Sequence, residues 1–414
     1  MVLAAIARAR RPGARTVRVV AGLAGAAVLL SPGWAAGPAL AEAPPATIGP
    51  SPFWVDPDSR AARQADAWEA RGRTADAALL RRIADQPLAT WLDDRTPDAA
   101  GEARQITAAA ERAHRIPVLV LHNLPRRDCV RRPTGAADAA AYRRWITGVS
   151  GGIGGRPAVV VLEPDAVAGL VAGCGGAAPG PPPGRAALLA EAVGLLKART
   201  ATRVYLDAGN PGRVPDLRRL AAALRLAGIG RADGFALNVA GFHTTGVSTQ
   251  YGDRLSGLLG GAHYVIDTSR NGKGPWAAVR RNAQSWCNPP DRALGPAPTV
   301  RTGSPLVDAY LWVKQPGESD GACRGAPPAG HWWAAYALEL AREAGRRPAA
   351  RALRPAPAVP TWTPSASAPA PANAPAPASA PAPADAPAPA SAPASAAVPS
   401  SSPSAAPSRP AVPG

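Results

Sequence analysis

Polar and ionisable residues follow six short apolar runs along this chain, and their types could do chemistry. In chain order they are His122, Asn123 and Asp128; Glu163 and Asp165; Asp207; Asn238; Asp267; and Lys314, Glu318 and Asp320. One aspartate after a strand is usually a helix cap or a turn residue, but six such positions in series favour a shared site. Carboxyl groups on one surface, without a histidine cluster or a credible nucleophilic serine, suit acid/base hydrolysis of an acetal. In that reaction one carboxylic acid protonates the leaving oxygen, and a carboxylate activates water or attacks carbon.

Tryptophan usage favours a sugar as the acetal. The chain has 11 Trp but only 3 Phe, and Trp91, Trp286 and Trp312 flank the polar clusters. Because an indole ring has a flat apolar face, it suits the apolar face of a pyranose ring. The alternative for each Trp is burial in the protein core.

The elements that must position these residues alternate along the chain. Buried strands are predicted for six apolar runs, at residues 118–121, 158–162, 203–206, 234–237, 264–266 and 310–313. Amphipathic helices are predicted at residues 101–115, 138–149, 184–199, 215–227, 246–259 and 332–345. This alternation predicts an α/β fold with a parallel sheet, either a barrel or a doubly wound layer. In a parallel barrel the carboxyl ends of the strands share one face, so the polar residues would meet there.

The two ends of the 414-residue chain differ from its middle. Residues 1–41 have a basic start, an apolar run and an Ala39-Leu40-Ala41 site, the order of features in a secretory signal. An uncleaved anchor is the alternative, but the run is short for a membrane span of ~20 residues. Residues 355–414 repeat Ala-Pro and Ala-Ser, and such a stretch cannot bury enough apolar area to offset its ordering entropy. We expect a signal peptide, one α/β catalytic domain at 42–354, and a disordered tail at 355–414.

The formal charge of +17 raises the question of nucleic-acid binding. The arginines are scattered along predicted helix surfaces, with no dense basic run and no interleaved aromatic platform. We therefore expect no nucleic-acid partner. We also expect a monomer that has no membrane contact once the signal is removed.

The four cysteines bear on redox chemistry and on metal binding. Export predicts an oxidising compartment, in which Cys129, Cys174, Cys287 and Cys323 indicate two disulfides. A zinc site is the competing interpretation. No Cys-x-x-Cys pair occurs and the five histidines are dispersed, so we expect no metal.

Several segments together resemble a known family. They read LVLHNLPRRDC (119–129), VVLEPDAV (160–167), VYLDAGN (204–210), YVIDTSRNGKGPW (264–276), and WCNPP with DAYLWVKQPGESDGAC (286–290 and 308–323). In this order they resemble glycoside hydrolase family 6, the cellulases that cut β-1,4-glucan with inversion. The resemblance spans roughly residues 50–345. It implies a distorted, partly open parallel β/α barrel, a β-glucan substrate, and catalysis without metal or organic cofactor.

The resemblance also implies roles for individual residues. Asp165 matches the general acid, and Asp128 matches a carboxylate that raises the pKa of the acid and helps to position water. Asp320 matches the residue usually called the base, although water activated through a chain leading to Asp128 is the alternative. Asp207 matches a fourth acidic residue that supports the electrostatics of the site. The remaining matches are the sugar-binding Lys314 and Glu318, the aromatic Trp91, Trp286 and Trp312, and the disulfides Cys129–Cys174 and Cys287–Cys323.

Several substrate-contacting positions depart from the family pattern. His122 stands where many members have Tyr, at a position that presses the reacting sugar out of its chair. Asn210 and Arg213 stand where well-studied members have His and Trp. Asn238 and Gly241 lie in a segment where Ser-Asn-Tyr is common. These changes leave the catalytic carboxylates intact, and they motivate an alternative function, a weak or inactive member that binds β-glucan at the cell envelope.

Loop lengths bear on the mode of attack. Processive members of the family enclose their substrate in a tunnel made by two long loops. Here twelve residues separate Gly274 from Cys287, and eight separate Asp165 from Cys174. Short loops predict an open cleft and a secreted endo-β-1,4-glucanase, with a cellobiohydrolase as the alternative. The tail resembles a linker with no binding module after it, which favours soluble or amorphous β-glucan as substrate or retention at the cell envelope.

Overall fold

The computed structural model describes residues 53–126, 134–172, 184–276 and 284–345. In these ranges seven parallel strands form one sheet in chain order. They are β1 (Thr90–Asp93), β2 (Val118–His122), β3 (Ala158–Leu162), β4 (Thr202–Asp207), β5 (Gly234–Leu237), β6 (His263–Asp267) and β7 (Val307–Leu311). All six predicted strands are present, although the last, predicted at 310–313, lies at Val307–Leu311. The apolar runs do not predict β1, because Trp91 and Leu92 alone make too short a run.

Helices alternate with the strands, as predicted. Those described are α1 (Arg60–Glu69), α2 (Thr74–Ala84), α3 (Ala99–Arg112), α4 (Ala139–Ile153), α5 (Ala166–Val171), α6 (Arg185–Lys197), α7 (Leu217–Leu226), α8 (Thr245–Leu258) and α9 (Ala334–Gly345). The six predicted helices are all present, and α1, α2 and α5 are additional. Asp98, Asp138 and Asp216 cap α3, α4 and α7 by accepting backbone N–H groups. These aspartates therefore have the ordinary capping role.

The strands are buried on both faces. In β2, Leu119 and Leu121 belong to the core cluster that includes helix residues, whereas Val118 and Val120 belong to a second cluster on the other face of the sheet. Alternate side chains of a strand point to opposite faces, so an unbroken apolar run fills both layers. This double burial explains why the strands read as continuous apolar runs.

The sheet curls without closing fully. No ladder joins β1 to β7 in the described sheet, but Leu88 forms a single parallel bridge with Trp312. The Ala89 N–H donates to the Trp312 carbonyl at 3.1 Å. The predicted distorted, partly open parallel barrel is confirmed.

Some predictions lie outside the described residues. They are the leader at 1–41, the tail at 355–414, Asp128, and the Cys129–Cys174 disulfide. Every helix within the described ranges is too short or too polar to cross a membrane.

Candidate active site

A cavity of about 1330 Å³ lies at the carboxyl ends of the strands. We call it the cleft. Most of the predicted site residues line it, namely Trp91, His122, Asp165, Asn210, Gly241, Trp286, Lys314, Glu318 and Asp320. The parallel sheet brings these residues together from distant parts of the chain, because every strand ends on the same face.

Asp165 presents its carboxyl group to the cleft from the end of β3. Both Glu163 and Asp165 have left-handed backbone conformations, with φ of 50° and 66°. Glu163 is fully buried and accepts the backbone N–H groups of Asn123 and Leu124, each at 2.9 Å. This anchor ties the turn to the end of β2 and stabilises its uncommon backbone. The Asp165 side chain consequently stays 55% exposed.

Asp207 lies beneath Asp165 instead of on the cleft wall. It ends β4, is 1% exposed, and accepts the Asp165 backbone N–H at 2.7 Å through Oδ2. Burial, followed by the negative charge of Asp165, raises the pKa of Asp207 to about 7. Below that pH the buried carboxyl group is protonated. Two neighbouring carboxyl groups, one at the cleft and one buried beneath it, thus lie in different environments, the arrangement that separates acid and base roles in enzymes.

The raised pKa of Asp207 predicts a pH-dependent stability. The folded state holds this proton more tightly than the unfolded chain, where an aspartate has a pKa of about 3.8. The stabilisation is therefore complete below pH 3.8 and is lost as the pH rises through about 7. We therefore follow the difference in Tm between the unaltered protein and an Asp207→Asn variant. As the pH rises across this window, we expect the Tm of the unaltered protein to fall by on the order of 5 °C relative to that of the variant. Thermal melts at a series of pH values would measure it, and parallel Tm curves would contradict the assignment.

Asp320 is held by a buried arginine. Its side chain is 7% exposed, and Oδ2 lies 2.8 Å from Nη1 of Arg270, which is fully buried. The backbone N–H of Asn288 donates to the same oxygen at 3.0 Å, and Nζ of Lys314 lies 3.9 Å from Oδ1. Arg270 is a site residue that the sequence reasoning missed. In the sequence, the one indication that Arg270 could belong to the site was its position in the segment that follows β6.

A disulfide lies beside this network. Cys287 is bonded to Cys323, the pairing that the family resemblance implies. Between them, Nδ2 of Asn288 donates to the Gly321 carbonyl at 2.9 Å. The disulfide thus links the segment before β7 to the loop that carries Asp320.

Lys314 and Glu318 form a charged cluster that adjoins Asp320 in the cleft. Nζ of Lys314 lies 3.6 Å from Oε2 of Glu318, and Nη1 of Arg60 in α1 lies 3.1 Å from Oε1. Burial lowers the pKa of Lys314, and the carboxylates of Glu318 and Asp320 oppose that shift. The sequence did not indicate Arg60 as a site residue, because α1 precedes the first predicted strand. Such a row of paired charges offers donors and acceptors to hydroxyl groups.

Aromatic rings line the cleft as well. Trp91 meets the His122 ring edge-on, with centroids 5.4 Å apart, and its Nε1 donates to the Val313 carbonyl at 2.8 Å. Trp286 is 58% exposed, and Trp276, which was not predicted as a site residue, also lines the cleft. A large exposed apolar ring in a cleft is typical of a binding surface.

The structure moves two predicted contact residues away from the cleft wall. Trp312 is 3% exposed and packs with α1, α2 and α9 in a core cluster. Its Nε1 donates to the Pro296 carbonyl at 2.9 Å. Asn238 is fully buried, and its amide donates to the Asp267 carbonyl at 2.9 Å and accepts the His243 N–H at 3.1 Å. Asn238 therefore shapes the loop after β5 behind the wall.

Gly241 and Asn210 hold loops in place at the wall itself. A Cβ atom at Gly241 would lie 2.2 Å from Oδ1 of Asn238, so this loop has no space for a side chain there. Oδ1 of Asn210 accepts the backbone N–H groups of Gly212 and Arg213, both at 3.1 Å. Gly241 and Asn210 therefore hold the backbone of their own loops in place. This role differs from the sugar contacts that the sequence predicted for them. In the described ranges, no group of three His, Cys, Asp or Glu residues could hold a metal ion.

The sequence profile described as Glycosyl hydrolases family 6 matches residues 49–344. The chain belongs to this family. Endoglucanase A of Cellulomonas fimi is 41% identical to this family 6 chain over 302 residues, which cover 71% of the chain and 62% of that protein. The chain thus spans less than two thirds of that relative. Endoglucanase 1 of Streptomyces halstedii is 39% identical, with coverage of 69% of the chain and 88% of that protein.

A solved structure has the same fold as this family 6 chain. The endoglucanase Cel6 from Mycobacterium tuberculosis, in complex with methyl-cellobiosyl-4-deoxy-4-thio-β-D-cellobioside, superposes with a TM-score of 0.63 at 42% identity. The match covers 72% of this chain and 98% of that one. The family and the barrel predicted from the sequence agree with these comparisons.

Proposed function

We propose that this chain is an endoglucanase that cleaves internal β-1,4-glucosidic bonds of cellulose or a related β-glucan with inversion. The observation that carries the proposal is the exposed carboxyl group of Asp165 in a cleft lined by Trp91 and Trp286. An acid beside flat apolar rings matches the needs of acetal hydrolysis on a pyranose chain. Two relatives named endoglucanase, of 41% and 39% identity, support this choice.

In the proposed mechanism, Asp165 protonates the glycosidic oxygen of the leaving sugar. Its carboxyl group is placed for this role by the turn that Glu163 anchors, and its side chain makes no capping bond to α5. Protonation of the leaving oxygen relieves the negative charge that develops as the bond breaks. Asp207 lies directly below and, while protonated, adds no second negative charge to the acid.

Water attacks the opposite face of the sugar in an inverting reaction. We assign its activation to Asp320 or to a water chain leading to Asp128. Arg270, Lys314 and the Asn288 N–H keep the Asp320 carboxyl group fixed at the cleft. Lys314 and Glu318 bind sugar hydroxyls, and the rings of Trp91 and Trp286 pack on the sugar faces.

One observation favours a second candidate, a weakly active protein that binds β-glucan. Nε of Arg213 lies 3.2 Å from Oδ1 of Asp165. A nearby guanidinium favours the ionised form of a carboxyl group, whereas a general acid must carry a proton. In this candidate the cleft binds glucan chains and seldom cuts them.

We further propose that the protein is exported through the leader at 1–41 and acts as a monomer. The order of basic, apolar and Ala-x-Ala features supports export. Retention at the cell envelope is proposed for the tail at 355–414, by analogy with linker segments.

The test uses the purified protein with carboxymethylcellulose and with mixed-linkage β-glucan. Viscosity and reducing ends are followed together, and the anomer released from cellotetraose is followed by proton NMR. An endo-acting, inverting enzyme lowers viscosity steeply for each reducing end formed and releases the α-anomer first. Retardation of the protein in glucan-containing gels without any reducing ends would select the binding candidate.

A further inference from the structure

Arg213 lies on the cleft wall next to the proposed acid. It follows β4 in the turn that Asn210 fixes by accepting the Gly212 and Arg213 N–H groups. Its side chain is 43% exposed, and its Nε lies 3.2 Å from Oδ1 of Asp165. Because its backbone is held, the guanidinium has a defined place in the cleft.

The guanidinium keeps donors available to a ligand. Among the described residues, the side chain of Arg213 makes its polar contact through Nε, to Asp165. Other cleft arginines use their terminal nitrogens: Arg60 bonds Glu318 and the Gly330 carbonyl through Nη1, and Arg95 bonds Asp93 and the Ala329 carbonyl through Nη2 and Nη1. Within the described ranges, Arg213 thus differs from them in having both terminal nitrogens left for the cleft.

This difference between Arg213 and the other cleft arginines matters at the step of the catalytic cycle in which Asp165 is protonated. When Asp165 carries the proton that it must donate, it loses its negative charge, and Arg213 then loses its counter-charge. The reactive form of the enzyme therefore presents a cation to the substrate beside the scissile bond. Unmodified glucose units are neutral and cannot replace the lost charge. A carboxylate on the sugar can, and two parallel bonds from a guanidinium are the strong geometry for carboxylate recognition.

We propose that Arg213 is a specificity residue that selects β-1,4-glucan chains bearing carboxylate groups near the scissile bond. This inference rests on the proposed endoglucanase function. The substrate carboxylate bonds Nη1 and Nη2 of Arg213 while Asp165 is protonated. An acidic chain thus gains bonds to Arg213 and favours the reactive form of the acid, whereas a neutral chain binds through the other cleft residues alone and has no such effect on the acid.

The experiment compares an acidic with a neutral substrate in the full-length protein. Carboxymethylcellulose and hydroxyethylcellulose of matched substitution and viscosity are hydrolysed at one pH and low salt, and the ratio of their kcat/KM values is taken. Any change in the acid itself affects both substrates and cancels in the ratio. The variants are Arg213→Gln, Arg213→Lys and, as a charge-matched control outside the cleft, Arg218→Gln on the exposed side of α7.

We expect the ratio to fall about fivefold in Arg213→Gln, the scale of an exposed charge pair. Arg213→Lys should keep part of the preference, and Arg218→Gln should keep the ratio of the unaltered protein. Added salt should lower that ratio. An unchanged ratio in Arg213→Gln would overturn the proposal. An equal loss of activity on both substrates would show that Arg213 only positions Asp165.

A binding measurement separates this proposal from the proposed function. Retardation in native gels containing each polymer needs no turnover. If the protein hydrolyses neither polymer, the endoglucanase proposal fails. Selectivity still stands if carboxymethylcellulose retards the unaltered protein and Arg218→Gln more than it retards Arg213→Gln. Equal retardation of all three would refute it.

Discussion

Asp165→Asn is expected to lower the hydrolysis of β-glucan by about 100- to 10,000-fold, the contribution of a positioned general acid. The amide has nearly the same shape as the carboxyl group but has no proton of suitable acidity to donate. The side chain is 55% exposed, so the substitution leaves the core intact. Reducing-end release from carboxymethylcellulose measures the loss, and an unchanged thermal melt shows that the variant is folded.

The leaving group provides the control for this prediction. A dinitrophenolate leaves without protonation, so a general acid contributes little to the hydrolysis of 2,4-dinitrophenyl β-cellobioside. Asp165→Asn should therefore retain most of its activity on this substrate while losing it on glucan. Equal losses on both substrates would mean that Asp165 does not act as the acid.

Arg270→Met is expected to have the largest effect on stability, about 3 to 5 kcal/mol of unfolding free energy. Arg270 is fully buried, bonds Oδ2 of Asp320 at 2.8 Å, and donates to the Ala240 carbonyl at 2.6 Å. Its guanidinium also lies over the Phe242 ring, 4.4 Å from the centroid. Methionine fills much of the space but leaves the Asp320 carboxylate buried, with Lys314 as its nearby cation and the Asn288 N–H as a donor among the described residues. Urea unfolding measures the change.

A double-mutant cycle tests the cause of that loss. If the uncompensated carboxylate is responsible, adding Asp320→Asn to Arg270→Met should restore part of the stability. The two single variants and the pair are compared by the same unfolding assay. Purely additive losses would show that Arg270 stabilises the loop through the Ala240 carbonyl and the Phe242 ring, and not through the ion pair.

The chain order of elements was readable because parallel strands leave a simple pattern. A strand buried on both faces is apolar at most positions, so β2 to β6 contain nearly continuous apolar runs, with Arg203 in β4 as an exception. β1 has no such run because only Trp91 and Leu92 of its residues Thr90–Asp93 are apolar, and its Asp93 pairs with Arg95 at the rim of the cleft. The helices α1 and α2 precede the alternating strands and helices, so that alternation does not predict them.

The site residues also divide into those that the sequence predicts and those that the tertiary structure alone places. The position of Asp165 after β3 predicts an exposed carboxyl group at the strand end, and the cleft contains one. The tertiary structure determines which neighbouring polar residues reach the cleft. Asp267 follows β6 in the same pattern, but its carboxylate accepts the N–H groups of Ser269, Ala240, Val313 and Lys314. It joins loops and leaves no oxygen for the cleft.

The sequence alone determined the alternation of parallel strands with helices and the carboxyl groups that follow the strands, because both depend on local pattern and residue type. The family and the barrel followed from the resemblance of its segments to glycoside hydrolase family 6. Only the tertiary structure decided that Asp207 is buried under Asp165, that Arg270 neutralises Asp320, and that Arg213 faces the acid. These pairings join segments that are far apart in the chain. The burial and charge that tune a carboxyl group depend on the distances between such segments, and residue order does not contain those distances.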